Sequence, residues 1–441
     1  MKSKTVLRAG SAWTAGSPAV LDRPEIHISQ GVIEWLGRQG ERPDEPGSVV
    51  LDLGEQWLLP GFIDAHLHLF GLDFSDPTAL FTWPTALRAA RATADLGRLL
   101  ASGITAVRCL GSPLGPSLAR AVRSAYVPGP HISAAGEFIC SRSGTWDPAV
   151  WPQRWAEELG MFADGVEECR RRVRERVRAG ADFIKICGSV GEHGDRLRAW
   201  GNDPCRVRLS YSDEEVTALV EEAHRHGLRV ASHCIGDAAV RQALDAGVDS
   251  IEHGHGITDE TCRRLADSAA ILVPTLALPA WRARNGVAEG LPPDSIAGWQ
   301  RHAAVQRRSL ERARDHGVRI AAGTDFVGPP STPLGPNACE MEHLVEAGLT
   351  PEEALTACIA VGREAMGMGN TIGMLAAGRR ADVIALPGDP RRNIGLVRRV
   401  SFVMRDGMVV VPPEGTGPTP GQHQPPRQPS IELTVFHRAP A

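Results

Sequence analysis

Lysine is what this chain lacks. Lys and Arg together number 48, yet lysine stands only at Lys2, Lys4 and Lys185, the last inside the apolar phrase ADFIKICG. There is no CxxC pair, and the nine cysteines are scattered and odd in number. That pattern offers no disulfide framework and favours reduced thiols in a cytoplasmic setting. No apolar run is long enough to cross a bilayer, and the opening MKSKTVLRAGSAWTAG lacks the continuous apolar segment of a signal peptide. A large charge excess is missing too. The formal net charge is −4 with 42% apolar residues, so nothing asks for nucleic acid or an anionic membrane. The expected partner is a small molecule, with self-association left open.

What is present falls into three stretches. Residues 1–57 alternate apolar and polar positions between turn signals, as in TVLRAG, EIHIS, GVIEWLG and SVVLDLG, which predicts short antiparallel strands. The same character returns in ADVIALPG and VSFVMRDGMVVV, so 1–57 and 371–411 are expected to form one small β-sandwich from both chain ends. Between them, residues 58–370 repeat strand then helix eight times, the strands being FIDAHLHL, TAVRCLG, HISAAG, DFIKICG, RVASHCIG, SIEHGH, ILVPTL and RIAAGTDF. Ser212 with Glu215 and Thr350 with Glu353 read as capping boxes at helix starts. The expected fold is an α/β (β/α)8 TIM barrel. Residues 412–441 open on a Pro/Gly/Gln tract unlike a folded unit, with SIELTVFHR a candidate edge strand. The arginines of GVEECRRRVRERVRAG are interleaved with glutamates and read as a solvated helix face.

Chemistry concentrates where the strands end. In LLPGFIDAHLHL, His66 and His68 are one residue apart on a strand, so they share a face about 7 Å apart along the chain and can reach one metal ion. His224 and His226 have the same spacing on a helix, where they diverge. Barrel enzymes place reactive groups at the C-terminal strand ends. Strand one there offers His66 and His68, strand four Lys185, strand five His233, strand six His253 and strand eight Asp325, while strands two, three and seven offer none. Asp64 lies on the same face one layer deeper, His255 follows His253 past a glycine, and His131 opens strand three at the opposite end as a structural residue.

The set HxH, Lys, His, His, Asp on strands one, four, five, six and eight resembles the amidohydrolase superfamily. The phrases PGFIDAHLHL, GITAVRCLG, GADFIKICG, GVDSIEHGH and IAAGTDF resemble more closely its Xaa-Pro dipeptidase (prolidase-like) branch, which also includes ochratoxin amidohydrolases. The resemblance implies two divalent metal ions. His66, His68 and Asp325 would hold the more buried one, and His233 and His253 the more exposed one. Lys185 would bridge them as a carbamate formed from CO2. His and carboxylate ligands suit Zn2+, with Mn2+, Fe2+ or Co2+ also compatible. The implied reaction is cleavage of an amide or peptide bond, in a dipeptide or N-acyl amino acid, by metal-activated hydroxide, with Asp325 carrying the proton.

Two departures matter. No glutamate stands three residues after His233, where related single-metal deaminases carry one. After strand three the prolidase-like branch often has a TGGH-type loop, whereas here Ser141 to Pro148 reads SRSGTWDP. The long loops after strands one, three, four and seven are expected to choose the substrate. Tyr211, Arg142, Trp146, His193 and Arg206 are the candidates for touching it. Hydrolysis of another C–N, C–O or P–O bond, such as a cyclic amide in an imidazolonepropionase-like reaction, is the alternative chemistry. A metal-free, non-catalytic scaffold is the alternative class.

Overall fold

The computed structural model describes residues 4–413, apart from 73–78, 148–151, 193–198, 205, 330 and 370. The tail beyond 413 and His193 therefore lie outside the described residues. No helix among the described residues is long and apolar enough to cross a membrane. The eight described cysteines are all free and buried.

Both chain ends contribute to two facing sheets. One has four strands in the order Val32–Arg38, Pro24–Ser29, Thr5–Arg8, Val49–Asp52. The other has six, in the order Met408–Val411, Phe402–Arg405, Val383–Leu386, Trp57–Pro60, Ser11–Trp13, Val20–Asp22. Alternation along these strands sends Leu7, Ile26, Ile33, Leu58, Val383, Phe402 and Met404 into a shared core. The expectation of purely antiparallel strands fails at two places. Thr5–Arg8 pairs in parallel with Val49–Asp52, and Ser11–Trp13 pairs in parallel with Trp57–Pro60. Both are crossovers that local alternation cannot reveal.

The central stretch is a TIM-barrel-like α/β unit. Phe62–Leu67, Ile104–Cys109 and His131–Ala134 form one parallel sheet. Ile184–Cys187, Val230–Ile235, Ser250–His255 and Ile271–Val273 form another. These strands are buried on both faces, which is why they read as near-continuous apolar runs. Single parallel bridges, Ile139 to Ile186, Leu272 to Ile320 and Leu67 to Phe326, join the two sheets. The eighth strand expected over RIAAGTDF is not continuous. Residues 320–326 touch each neighbour at one bridge, because Asp325 takes a left-handed backbone (φ 58°) and Gly323 is pressed against His66. A Cβ on Gly323 would lie 2.7 Å from the His66 Cβ, so glycine lets this segment approach strand one.

The helices pack outside. Asp213–Arg225 and Pro351–Thr356 each begin with the reciprocal capping box read from the sequence, Ser212 with Glu215 and Thr350 with Glu353. The arginine-rich helix Val166–Arg178 is only partly a solvated face. Arg171 and Arg172 pair with Glu175 at 2.7 Å. Arg176 instead turns inward and donates to the carbonyls of Glu137 and Gly160 at 2.7 Å. His131 sits at the far end of the barrel, 2.9 Å from Asp382 of the sandwich.

Candidate active site

One cavity of about 270 Å³ at the C-terminal strand ends is lined by His66, His68, Lys185, His233, His253 and Asp325 together. The His66 and His68 rings lie 5.5 Å apart, as two same-face residues of a strand should. Asp325 Oδ1 is 3.3 Å from His66 Nε2 and 3.0 Å from His68 Nε2. These three offer ligand atoms within 4.8 Å of one another. The His253 ring is 5.1 Å from His66 and 4.6 Å from His233.

The chain fixes which ring nitrogen faces the cavity. His66 Nδ1 is held 2.6 Å from Glu252, His68 Nδ1 is 2.9 Å from the Gly111 carbonyl, and His253 Nδ1 is 2.8 Å from the Thr275 hydroxyl. Each partner takes Nδ1 and leaves Nε2 for a metal. His233 differs, since its Nε2 lies 2.6 Å from the Ala199 carbonyl, which leaves Nδ1 or requires that contact to yield. His253, Thr275 and Asp325 all have left-handed backbones (φ 73°, 57° and 58°), a concentration of backbone strain where the chemistry sits.

Electrostatics follow from burial. Lys185 is 3% exposed, its Nζ has no hydrogen-bond partner among the described residues, and burial pulls its pKa down despite Glu252 and Asp325 nearby. Burial would raise the Asp325 carboxyl, but His66 and His68 hold it well below the usual carboxylate range. Burial also works against ionised Glu252, yet Arg108 and then His66 bring it down to about 2. Burial, then the Lys185 charge, lowers His233 to about 3. Burial likewise lowers His253, so His233 and His253 are neutral, as ligands must be, whereas at His66 burial is outweighed by Asp325 and Glu252, which raise it.

Glu252 is a site residue that the sequence reading missed. It accepts from Arg108 Nη1 at 3.1 Å and from the Ser250 hydroxyl at 2.7 Å while holding His66. Strand alternation puts Glu252 and His253 on opposite faces, yet both reach His66. The left-handed turn at His253 and Gly254, with the pairing shift beside it, breaks the alternation. Strands two and seven are not silent either, because Gly111 and Thr275 just past them orient His68 and His253. Asp64 does not reach the His66 ring. It accepts from the His66 and Thr324 backbone and from Asn337, and so fixes the turn that presents Asp325. His255 is buried beside Trp200, with neither ring nitrogen hydrogen-bonded among the described residues.

Because the folded Glu252 pKa lies below its ordinary 4.5, its ionised form adds stability above about pH 4.5, which is lost as pH falls toward about 2. In metal-stripped protein, Glu252→Gln should flatten the denaturant midpoint across that window. It should also cost about 3–5 kcal/mol at neutral pH by leaving the Arg108 charge uncompensated. Equilibrium unfolding at a series of pH values checks both.

Of the loop candidates, Trp146 lines the cavity, stacked 4.9 Å from Phe138. Arg142 and Arg206 do not. Arg142 turns to Asp164 at 2.5 Å and Arg206 to Glu192 at 3.3 Å, both in solvent-facing ion pairs. Tyr211 is buried, its hydroxyl has no partner among the described residues, and it is not in the cavity wall. The wall is made instead by Phe70, Phe138, Trp146, Trp200, Leu278 and Trp299.

Comparison with known proteins agrees with this geometry. The profile of the Amidohydrolase family matches residues 57–412. Ochratoxinase of Aspergillus niger is 31% identical over 440 residues, covering 94% of this chain and 88% of that one. A crystal structure of a Xaa-Pro dipeptidase with bound methionine superposes with TM-score 0.81 at 28% identity, over 92% of this chain and 99% of that one. A prolidase complexed with N-methylphosphonate-L-proline gives TM-score 0.82 at 30% identity, over 93% and 100%.

Proposed function

From a chain that belongs to the amidohydrolase family and hydrolyses amide or peptide C–N bonds, we propose a metal-dependent enzyme of the prolidase-like branch that cleaves a dipeptide or N-acyl amino acid. The observation that carries this reading is the buried Lys185 amine, without a hydrogen-bond partner among the described residues, in one cavity with His66, His68, His233, His253 and Asp325. A lysine kept only for packing would have its ammonium paired. This donor set fits two divalent ions, zinc first and manganese, iron or cobalt after it. His66, His68 and Asp325 would hold one, His233 and His253 the other. The depressed pKa of Lys185 favours the neutral amine that combines with CO2, and the resulting carbamate turns a cation into an anionic ligand. When bound, the metals supply Lewis acidity and a water that ionises near neutral pH.

The chain's own residues do the rest. Asp325 accepts a proton at its carboxylate oxygen and returns it to the departing amine. Glu252, Gly111 and Thr275 keep the histidines aimed. The aromatic wall excludes bulk water and strengthens every charge interaction inside. In this reading the parallel strands form one (β/α)8 barrel beside a sandwich built from 1–57 and 371–411. The substrate is a small molecule, and neither nucleic acid nor membrane takes part.

The test is elemental analysis of protein purified without chelator, combined with a hydrolysis screen of Xaa-Pro dipeptides, N-acyl amino acids and ochratoxin. Close to two ions per chain and turnover in one class is the expected result. No bound metal after supplementation, with no turnover, would overturn the reading.

A further inference from the structure

Among the described residues, the cavity wall holds one guanidinium. Arg282 lies on the helix Ala277–Asn285, just past strand seven, and lines the cavity with His233, His253, Trp200, Trp299 and Leu278. Its position is fixed from the side. Nη1 donates to Glu289 at 2.5 Å, Nη2 donates to the Ser331 hydroxyl, and Trp281 Nε1 holds the other Glu289 oxygen at 2.8 Å. A guanidinium has five N–H bonds and keeps its charge at any accessible pH. Nη1 and Nη2 each keep a second N–H that no hydrogen bond among the described residues takes, whereas Nε is buried away from the cavity. The side chain stays 17% exposed. A pinned guanidinium with two N–H bonds to spare, set beside the aromatic part of the wall, matches a planar anion, and a carboxylate accepts from such a fork with the right geometry. The aromatic surface beside it takes a large apolar group.

We infer that Arg282 seats the free carboxylate of the substrate, so that the enzyme selects acids carrying an aromatic or large apolar side chain beside the scissile amide. This rests on the amide-hydrolase reading above and adds to it which end of the substrate is held and where. Glu289 does not fill the seat, because Trp281 and Nη1 already engage its two oxygens.

The test compares N-acetyl-L-phenylalanine with N-acetyl-L-phenylalaninamide on the metal-loaded enzyme. Binding is followed by tryptophan fluorescence, since Trp146, Trp200 and Trp299 line the cavity, and hydrolysis by release of the free amine. The wild type should prefer the acid by about 10- to 100-fold in Kd, the range of a charge-assisted hydrogen bond. Arg282→Gln should erase that preference by weakening the acid alone, leaving the carboxamide unchanged. Glu289→Gln, which loosens the clamp but keeps the cation, should retain the preference. Equal weakening of both ligands in Arg282→Gln, or loss of preference in Glu289→Gln as well, would assign Arg282 to loop packing and overturn the seat. Arg282-dependent acid binding without hydrolysis of any library member would sink the hydrolase reading and leave the seat standing. Hydrolysis of acid and carboxamide with equal KM would do the reverse.

Discussion

Lys185→Ala should lose bound metal and lower turnover by about 10³-fold or more, the equivalent of several kcal/mol of lost charge stabilisation. The side chain sits on the strand Ile184–Cys187, buried and without a hydrogen-bond partner among the described residues, beside the strand that carries His233. Truncating an unpaired buried polar group costs the fold little, so the variant should stay folded. Lys185→Arg should fare no better, because guanidinium stays cationic and repels divalent ions. Acetate or propionate should restore part of the metal and activity of Lys185→Ala by supplying the missing carboxylate oxygens. Metal content and turnover measured on the same folded preparation decide the matter. If both persist in Lys185→Ala, Lys185 is a packing residue and the bridged pair of ions is wrong.

Asp325→Asn should lower turnover by about 10²- to 10⁴-fold, the usual contribution of a positioned acid–base group. The substitution is chosen for the backbone. Asp325 has φ 58°, and Asn adopts left-handed conformations almost as readily as Asp, so the turn held by Asp64 and Asn337 survives. An amide oxygen still ligates weakly but cannot take a proton from water. Metal should therefore remain in good part while the rate collapses at every pH. Steady-state kinetics with parallel metal analysis checks it, and a wild-type rate would remove Asp325 from proton transfer.

What could be read from the sequence followed from alternation. Phe62–Leu67 is regular, so the period of two puts His66 and His68 on one face, and their rings lie 5.5 Å apart. The family was legible too, because its motifs stand at strand ends that the apolar runs mark. Glu252 was hidden by the same rule, since a left-handed His253 lets two adjacent residues reach one histidine. Arg142 and Arg206 failed for another reason. Their acidic partners, Asp164 and Glu192, are brought beside them by loop geometry that carries no periodic signal. Arg282 was passed over because an arginine in WRAR is unremarkable until Glu289 and Ser331 are seen to pin it.

Only Gly61 separates the strand Phe62–Leu67, which leads into the histidine pair, from Trp57–Pro60, and that preceding strand pairs Pro60 with Val383 and Trp57 with Leu386. During synthesis Trp57–Pro60 leaves the ribosome long before Val383–Leu386 does, so this edge stays bare in the meantime. The footing of the first barrel strand therefore completes late. A chain that stops before Leu386 would present an unpaired, apolar edge to its neighbours. Such a nascent chain calls for chaperone cover until Val383–Leu386 has been made.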